Sequence, residues 1–301
     1  MDTKLAGYRV TRQIGTGARS RILLAVELKS GKQVALKHVL RNSADDDPFL
    51  VQVEREYEIT SKLDHPNLRR GYTLHRIRKR LQTKELVLVM EYVDGLSLEK
   101  ARPNRLNTFL TIFKKVAAGL HAMHEAGYVH SDMKPTNVMI GKGGVVKIID
   151  FGQASALDQR KERIQGTPDF IAPEQVRRMV LTRRTDVFNV GATMYWLLTS
   201  ENYPTEIRGT DARGGIALTS PDNPIAPIEL NDKIPLSLSK LVMECCNDNP
   251  TQRPADMKQL SARLDVVRKL WKKQRAAAHE QLRASKDSVV DEVTRVRKDD
   301  K

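Results

Sequence analysis

Short apolar runs separated by turn residues make up most of residues 1–92. The runs are rich in β-branched residues and are broken by turn signals such as SGK, which is the pattern of β-strands. They cover residues 8–15, 21–28, 33–40, 71–77 and 85–93. Residues 48–63 carry apolar positions at helical spacing, after the acidic segment SADDD and before DHPN. This part of the chain is therefore predicted to be mostly sheet with one helix.

Helical spacing dominates the chain after residue 93. The predicted helices cover residues 106–127, 186–200 and 236–249. Residues 145–152 predict a short strand, and the Gly/Pro-rich segment 200–235 predicts a loop. The composition predicts three units, at residues 1–92, 93–264 and 265–301.

The last predicted unit contains helix formers and neither Pro nor Gly. Four of its apolar residues would lie near one helix face: Leu282, Val289, Val293 and Val296. They span too few heptads to define a coiled coil, so we predict a solvated, partly frayed helix. Partner docking, self-association and a freely trailing helix are all compatible with this pattern.

The composition fits one two-lobed domain with a tail. The chain has 301 residues, of which 40% are hydrophobic, enough to bury a sizeable core. No apolar run reaches about 18 residues, so no membrane span is expected. The start, MDTKLAGYRVTRQIG, lacks the apolar stretch of a secretory signal, and we expect a cytoplasmic protein.

The net charge of +14 is spread over several basic segments, including RIRKR, RRMVLTRR and RKLWKKQR. Such a surface attracts nucleic acid, anionic lipid or acidic proteins. Aromatic residues make up only 5% of the chain, which disfavours base stacking, so we do not expect nucleic acid as a partner. Cys245 and Cys246 are adjacent, which disfavours a disulfide or a metal site and predicts two buried helix positions.

Two motifs in the first unit indicate phosphate binding. IGTGARSRI places Gly15 and Gly17 in a turn between predicted strands, where backbone amides can approach phosphate oxygens. A plain β-hairpin would show the same glycines. VALK places Lys37 at the end of an apolar strand, where a buried ammonium needs a partner such as Glu56 on the following helix. A lysine that simply reaches water is the alternative.

The segment YVHSDMKPTNVMI sets Asp132, Lys134 and Asn137 close together. Turn capping alone would explain the aspartate and the asparagine. In order along the chain stand the glycine turn, VALK, the helix glutamate, HSDMKPTN, DFG and APE. Over roughly residues 8–264 this ordered set resembles the eukaryotic-like protein serine/threonine kinases. The resemblance implies an α+β, two-lobed protein-kinase fold, with a small antiparallel-sheet N-lobe carrying one main helix and a larger, mostly helical C-lobe.

The resemblance also implies a role for each motif residue. Asp132 matches the aspartate that orients the substrate hydroxyl and accepts its proton, and Lys134 matches the lysine that neutralises charge on the transferred phosphoryl group. Asn137 and Asp150 match the ligands of Mg²⁺, which binds through few protein oxygens plus phosphates. The implied cofactors are ATP and Mg²⁺, and the implied partner is a protein with acceptor serine or threonine residues.

A nucleotide pocket is implied in the same way. Lys37, paired with Glu56, would contact the phosphates of ATP. The positions matched to the glycine turn, pocket walls, back-pocket guard and adenine-binding backbone are Ile14, Gly15, Gly17, Ile22, Ala35, Met90, Glu91, Val93 and Met139. Each apolar member taken singly is equally compatible with ordinary core.

Further matches concern the substrate class and the C-lobe. The lysine in HSDMKPTN and the segment GTPDFIAPE resemble serine/threonine rather than tyrosine kinases, with Thr167 hydrogen-bonded toward the catalytic aspartate and lysine. Glu174 and Arg253 resemble a buried ion pair, and Asp186 resembles the anchor of the catalytic-loop backbone.

The sequence departs from the family at three positions. Ser131 replaces the arginine that in relatives pairs with a phosphorylated activation loop, so we hypothesise that activity needs no phosphate docked there. Thr60 and Gly71 stand where the family packs larger apolar residues into a column. Three explanations of the small residues at 60 and 71 stay open: a helix that moves easily, low basal activity, and a misalignment of the segment HPNLRRGYTL with the family.

Two rival functions remain at this point. A non-catalytic kinase-fold scaffold is disfavoured because the five residues on which catalysis depends are all retained, namely Lys37, Glu56, Asp132, Asn137 and Asp150. A small-molecule phosphotransferase is disfavoured because GTPDFIAPE and NPTQRP resemble the segments that build a peptide platform.

Overall fold

A computed structural model describes residues 4–17, 19–210, 216–218 and 223–299. The N-terminal lobe is one antiparallel sheet covered by a single long helix. Its strands are β1 (Lys4–Leu5), β2 (Tyr8–Gly17), β3 (Ser20–Glu27), β4 (Gln33–Leu40), β5 (Gly71–Lys79) and β6 (Gln82–Glu91), in the order β1-β2-β3-β4-β6-β5. Helix α1 (Asp47–Lys62) has a proline in its first turn, which suits a helix start, and it packs on β5 and β6.

The C-terminal lobe is mostly helical. Its helices are α2 (Leu106–Glu125), α3 (Pro173–Val176), α4 (Arg183–Thr199), α5 (Pro227–Leu230), α6 (Leu236–Cys245) and α7 (Met257–Asp299). Its strands are β7 (Gly95–Ser97), β8 (Tyr128–Val129), β9 (Val138–Gly141), β10 (Val146–Ile148), β11 (Ser155–Ala156), β12 (Gln159–Arg160), β13 (Val180–Leu181), β14 (Ile207–Thr210) and β15 (Ile216–Leu218). The predicted two-lobed α+β architecture is confirmed.

A core of apolar side chains from α2, α4, α6 and the start of α7 holds this lobe together. Its fully buried members include Phe113, Leu120, Phe188, Leu238 and Leu260. Cys245 and Cys246 are free and buried in the same core, as predicted, and burial raises the pKa of both thiols, which leaves them unreactive.

Several predicted segments differ from the observed ones, and the helix predicted over 236–249 ends at Cys245. The strand predicted over 145–152 ends at Ile148, because Asp150 adopts a left-handed φ of 63° that no strand accommodates. The predicted loop 200–235 contains the hairpin β14–β15 and the short helix α5. Helix α7 crosses the predicted boundary at 264/265 without a break, and Val267 beyond it is buried in the C-lobe core. The side chains of the four apolar residues predicted on one face of the tail lie outside the described part.

Candidate active site

A cavity of about 600 Å³ lies between the two lobes. It is lined by the glycine turn of the β2–β3 hairpin, by β4, by the segment after β6, by residues 130–137 (HSDMKPTN, the catalytic loop) and by the segment after β10. The sequence-predicted residues among its walls are Ile14, Gly15, Gly17, Ile22, Ala35, Lys37, Glu91, Val93, Asp132, Lys134, Asn137, Met139 and Asp150. The fold thus brings together groups that are more than a hundred residues apart in sequence.

Two of the predicted site residues do not line the cavity. Glu56 is 0% exposed and lies behind Lys37. Met90 is buried in the N-lobe cluster with Ala35 and Leu88, so it packs behind the wall rather than forming it. At the neighbouring Glu91, the backbone amide donates to Arg70 O (2.9 Å).

Lys37 connects the two lobes through carboxylates. Its Nζ lies 2.6 Å from Glu56 Oε2 on α1 and 3.5 Å from Asp150 Oδ1 after β10. Burial alone would lower the pKa of Lys37, but the charges of Glu56 and Asp150 outweigh burial and raise it. The ammonium therefore stays charged and is aimed at the cavity.

Asp150 presents its carboxylate to the cavity, and its side chain is 45% exposed. Partial burial raises its pKa, but the positive charges of Lys37 and Arg69 dominate and lower the pKa to about 2. Next to it, Phe151 is fully buried and packs on the His130 ring, with 5.4 Å between ring centroids. This contact fixes the backbone that carries the carboxylate.

The catalytic loop forms a small hydrogen-bonded network around Asp132. Thr167 Oγ1 donates to Asp132 Oδ1 (2.8 Å), and Lys134 Nζ donates to Thr167 Oγ1 (2.6 Å) and lies 3.1 Å from Asp132 Oδ2. Asn137 Nδ2 donates to Asp132 O (2.8 Å). The contacts expected of Thr167 are confirmed, and the carboxylate is held in one orientation at the cavity wall.

Below this loop, Asp186 on α4 is fully buried and organises the backbone. Its carboxylate accepts the amides of His130 (2.9 Å) and Ser131 (2.8 Å) and a hydrogen bond from His124 Nε2 (2.7 Å). Burial raises its pKa, but the hydrogen bond and charge of His124, with the backbone donors, lower it overall. The predicted anchor is confirmed, and His124 is a partner that sequence reasoning missed.

A second buried pair braces the C-lobe. Arg253 Nη1 and Nη2 lie 2.7 Å and 2.9 Å from the two oxygens of Glu174, and the guanidinium stacks over Phe188 at 4.9 Å. This bidentate pair is the one predicted from the sequence. It fixes the end of the activation segment, residues 150–174 from DFG to APE, to the helical core.

The two unusual column residues fit each other. A Cβ added to Gly71 would lie 2.2 Å from Thr60 Oγ1, so no side chain fits there while Thr60 is present. The Thr60 hydroxyl bonds the carbonyl of Glu56 in its own helix (2.7 Å). The column is therefore narrow at this level, because α1 and β5 approach closely and Gly71 adds no side chain.

Sequence reasoning missed several cavity and segment residues. Arg69 lines the cavity and pairs with Glu56, with 3.3 Å between Nη2 and Oε1. Gln175 Nε2 donates to the carbonyls of Ser131 (2.8 Å) and Gln165 (3.0 Å), which ties the activation segment to the catalytic loop. The signal for Arg69 was a charged residue between Leu68 and strand β5, a position that becomes buried only in the fold.

The oxygen donors of the site suit a divalent metal shared with a nucleotide. Among the described residues, no group of three or more His, Cys, Asp or Glu side chains could hold an ion alone. Asp150 offers a carboxylate and Asn137 an amide oxygen, since the Asn137 NH₂ is committed to Asp132 O. Such a sparse set fits a hard cation that takes its other ligands from phosphates and water.

Comparison with known proteins decides the family. The protein kinase domain model matches residues 8–264. The chain belongs to the protein kinase family. The kinase domain is 30% identical over 281 residues to the serine/threonine-protein kinase pkn3 of Myxococcus xanthus, covering 87% of this chain and 50% of that protein. It is 30% identical over 200 residues to the serine/threonine-protein kinase PrkC of Bacillus subtilis, covering 64% of this chain and 30% of that protein.

These matches confirm the predicted class, a eukaryotic-like serine/threonine kinase that uses ATP and a divalent metal. The chain spans half or less of the length of these curated relatives. What the whole protein phosphorylates and assembles with are therefore proposals. In the described part of the chain, no helix combines the length and apolar character needed to cross a membrane.

Proposed function

We propose that this kinase domain transfers the γ-phosphoryl group of Mg²⁺-bound ATP to serine or threonine hydroxyls of protein substrates, itself included. The observation that carries the proposal is the convergence of Asp132, Lys134, Asn137 and Asp150 with Lys37 on one cavity. ATP with its metal supplies the phosphoryl group, and the protein supplies position and charge.

In the proposed reaction the substrate hydroxyl oxygen bonds to the γ-phosphorus while the bond to the β-phosphate oxygen breaks. Asp132 accepts the hydroxyl proton, because Thr167 and Asn137 hold its carboxylate in place. Lys134, 3.1 Å from that carboxylate, neutralises charge on the transferring group. Lys37, braced by Glu56, would orient the nucleotide phosphates, and Asp150 with Asn137 would hold the metal.

The proposed adenine end of the cavity suits a flat, apolar ring. Ile14, Ile22, Met139 and Val93 give one part of the cavity an apolar lining. Ala35 leaves room for a flat base because its side chain is a single methyl group. We propose that this part of the cavity holds the base and that the backbone after β6 recognises its edge.

Ser131 supports our hypothesis that activity needs no docked phosphate. The residue is fully buried and carries no charge. The segment is held instead by unmodified groups, namely Gln175 Nε2 on the Ser131 and Gln165 carbonyls and Lys161 Nζ on the Gln153 carbonyl. These contacts replace the arginine–phosphate pair that Ser131 cannot form.

The remaining sequence predictions stay proposals. We place the protein in the cytoplasm, and we propose that the helical tail after residue 264 docks a partner or self-associates. Because Val267 is part of the core, a truncation that tests the tail should follow residue 277, with the mass in solution as readout.

The test of the function is phosphate transfer from labelled ATP to a serine-containing protein by purified wild type, Asp132→Asn and Asp64→Asn. Asp64 is an exposed carboxylate whose only described partner is Arg70, so it serves as matched control. We expect Asp132→Asn to lose at least about a hundredfold in kcat, as removal of a general base does, with nucleotide binding retained. Transfer by Asp132→Asn at the wild-type rate would contradict the proposal.

A further inference from the structure

Glu56 is held by two cations rather than one. Lys37 Nζ takes its Oε2 at 2.6 Å, and Arg69 Nη2 takes its Oε1 at 3.3 Å. All three side chains are buried, with 0% exposure for Glu56, 11% for Lys37 and 10% for Arg69. Because each cation has its own oxygen, the two contacts do not compete.

The backbone of Arg69 is hydrogen-bonded to strand β10 of the C-terminal lobe. Its amide donates to Ile148 O (2.9 Å) at the end of β10, and Ile148 N donates to Asn67 O (2.8 Å). Asn67 Nδ2 also donates to Val146 O (2.9 Å). The segment 67–69 is thus fastened to the strand that leads directly to Asp150, while the Arg69 side chain reaches α1.

The Arg69–Glu56 ion pair holds α1 near the level where the column of apolar side chains is narrow. There α1 and β5 approach closely, and Gly71 adds no side chain. An ionic contact at Glu56, one helical turn before Thr60, holds the same face of α1. The ionic contact of Arg69 therefore holds α1 at the level where Thr60 and Gly71 keep the column small.

We propose that Arg69 is a positioning residue, an ionic strut that fixes α1 to β10 and so keeps Glu56 and Lys37 in register with Asp150. This inference rests on the roles proposed above for Lys37, Glu56 and Asp150. The local charge supports it, because the positive charges of Lys37 and Arg69 balance the negative charges of Glu56 and Asp150. Removal of Arg69 leaves one uncompensated negative charge in a buried cluster.

The experiment compares ATP-dependent transfer by the wild type, Arg69→Met, Arg69→Lys and Arg70→Met. Arg70 is the matched control, a neighbouring arginine that is exposed and whose side chain, within the described part of the chain, contacts Asp64 (3.5 Å). We expect Arg69→Met to lower kcat about tenfold. This factor corresponds to α1 lying in its active position about one-tenth of the time, because the site forms only in that position. The KM for ATP should change less than kcat, because the residues that line the adenine end of the cavity are untouched.

Arg69→Lys should recover most of kcat, because a cation is restored at the same place, and Arg70→Met should equal the wild type. Hydrogen exchange of the backbone amides of α1 should speed up in Arg69→Met only. Should Arg69→Met fail to fold, Arg69→Gln replaces it in the comparison with Arg69→Lys.

Equal kcat for the neutral variant and Arg69→Lys would overturn the strut, and so would a neutral variant as active as the wild type. Loss of activity by Arg70→Met to the same extent would overturn it as well. Absence of transfer by the wild type would instead refute the proposed function, so the two failures are distinguishable.

Discussion

Gly71 has no room for a side chain, and this sets up a measurable clash. The Cβ of Gly71→Ala would lie 2.2 Å from Thr60 Oγ1 and 3.1 Å from Thr60 Cβ. The hydroxyl is held on the Glu56 carbonyl in its own helix (2.7 Å), so it cannot swing away without losing that bond. Over-packing of this kind costs about 2 kcal/mol. For a domain of this size, that lowers Tm by about 6 °C.

The second substitution, Thr60→Ala, removes the clashing oxygen. Its hydroxyl bonds only backbone carbonyls of α1, so loss of it alone should cost less than about 1 kcal/mol. In the double variant only the 3.1 Å contact to Cβ remains, which a small shift relieves. We therefore expect the double variant to recover at least about 1 kcal/mol of the loss caused by Gly71→Ala.

The assay is a double-mutant cycle of urea denaturation at constant pH and salt, with the four midpoints converted through a common slope. Recovery in the double variant confirms that Thr60 is what excludes a side chain at 71. If the two losses simply add, or if Gly71→Ala is as stable as the wild type, the contact is not there and the account of the narrow column is wrong.

Three further predictions concern the scaffold around the site. Arg253→Met should destabilise the protein by about 3–5 kcal/mol, since it leaves the Glu174 carboxylate buried and unpaired, and the denaturation midpoint measures this; a loss below about 1 kcal/mol would contradict a buried pair. Burial lowers the pKa of His130, so the native state resists a proton that the unfolded state accepts below about pH 6.5, and stability should fall as the pH drops through that value. His130→Phe, which keeps the packing on Phe151, should show a smaller fall between pH 7 and 5.5, and equal falls would refute this. Phosphatase treatment should leave the transfer rate within about twofold, as Ser131 has no charge to pair with a phosphate, and a large loss restored by autophosphorylation would defeat the hypothesis.

Local sequence patterns predicted the long strands of the N-lobe and the residues of the kinase motifs. The β-branched runs predicted the long N-lobe strands β2–β6, and the ordered motifs located Lys37, Asp132 and Asp150. The short strand β1 and most strands of the C-lobe carry no such signal. The pairing of Glu174 with Arg253 followed in the same way, because each residue stands in a motif of its own.

What the sequence left open depends on contacts between distant segments. Arg69 looks like a surface arginine until the bridge between Leu68 and Ile148 buries it beside Glu56. Met90 was matched to the residue that guards the back pocket, and the fold buries it against Leu88 and Ala35, behind the residues that line the cavity. Strand β10 ends at Ile148 rather than at residue 152. Asp150 adopts a left-handed φ of 63°, which no local sequence pattern indicates.

The convergence of Asp132 and Asp150 on one metal–nucleotide complex is most directly tested by calorimetric titration of ATP with and without Mg²⁺. The account predicts that Mg²⁺ strengthens ATP binding to the wild type and to Asp132→Asn, and that Asp150→Asn loses this effect because the carboxylate facing the cavity is gone. Equal Mg²⁺-dependent binding by Asp150→Asn and the wild type, or no ATP binding by the wild type, would contradict it.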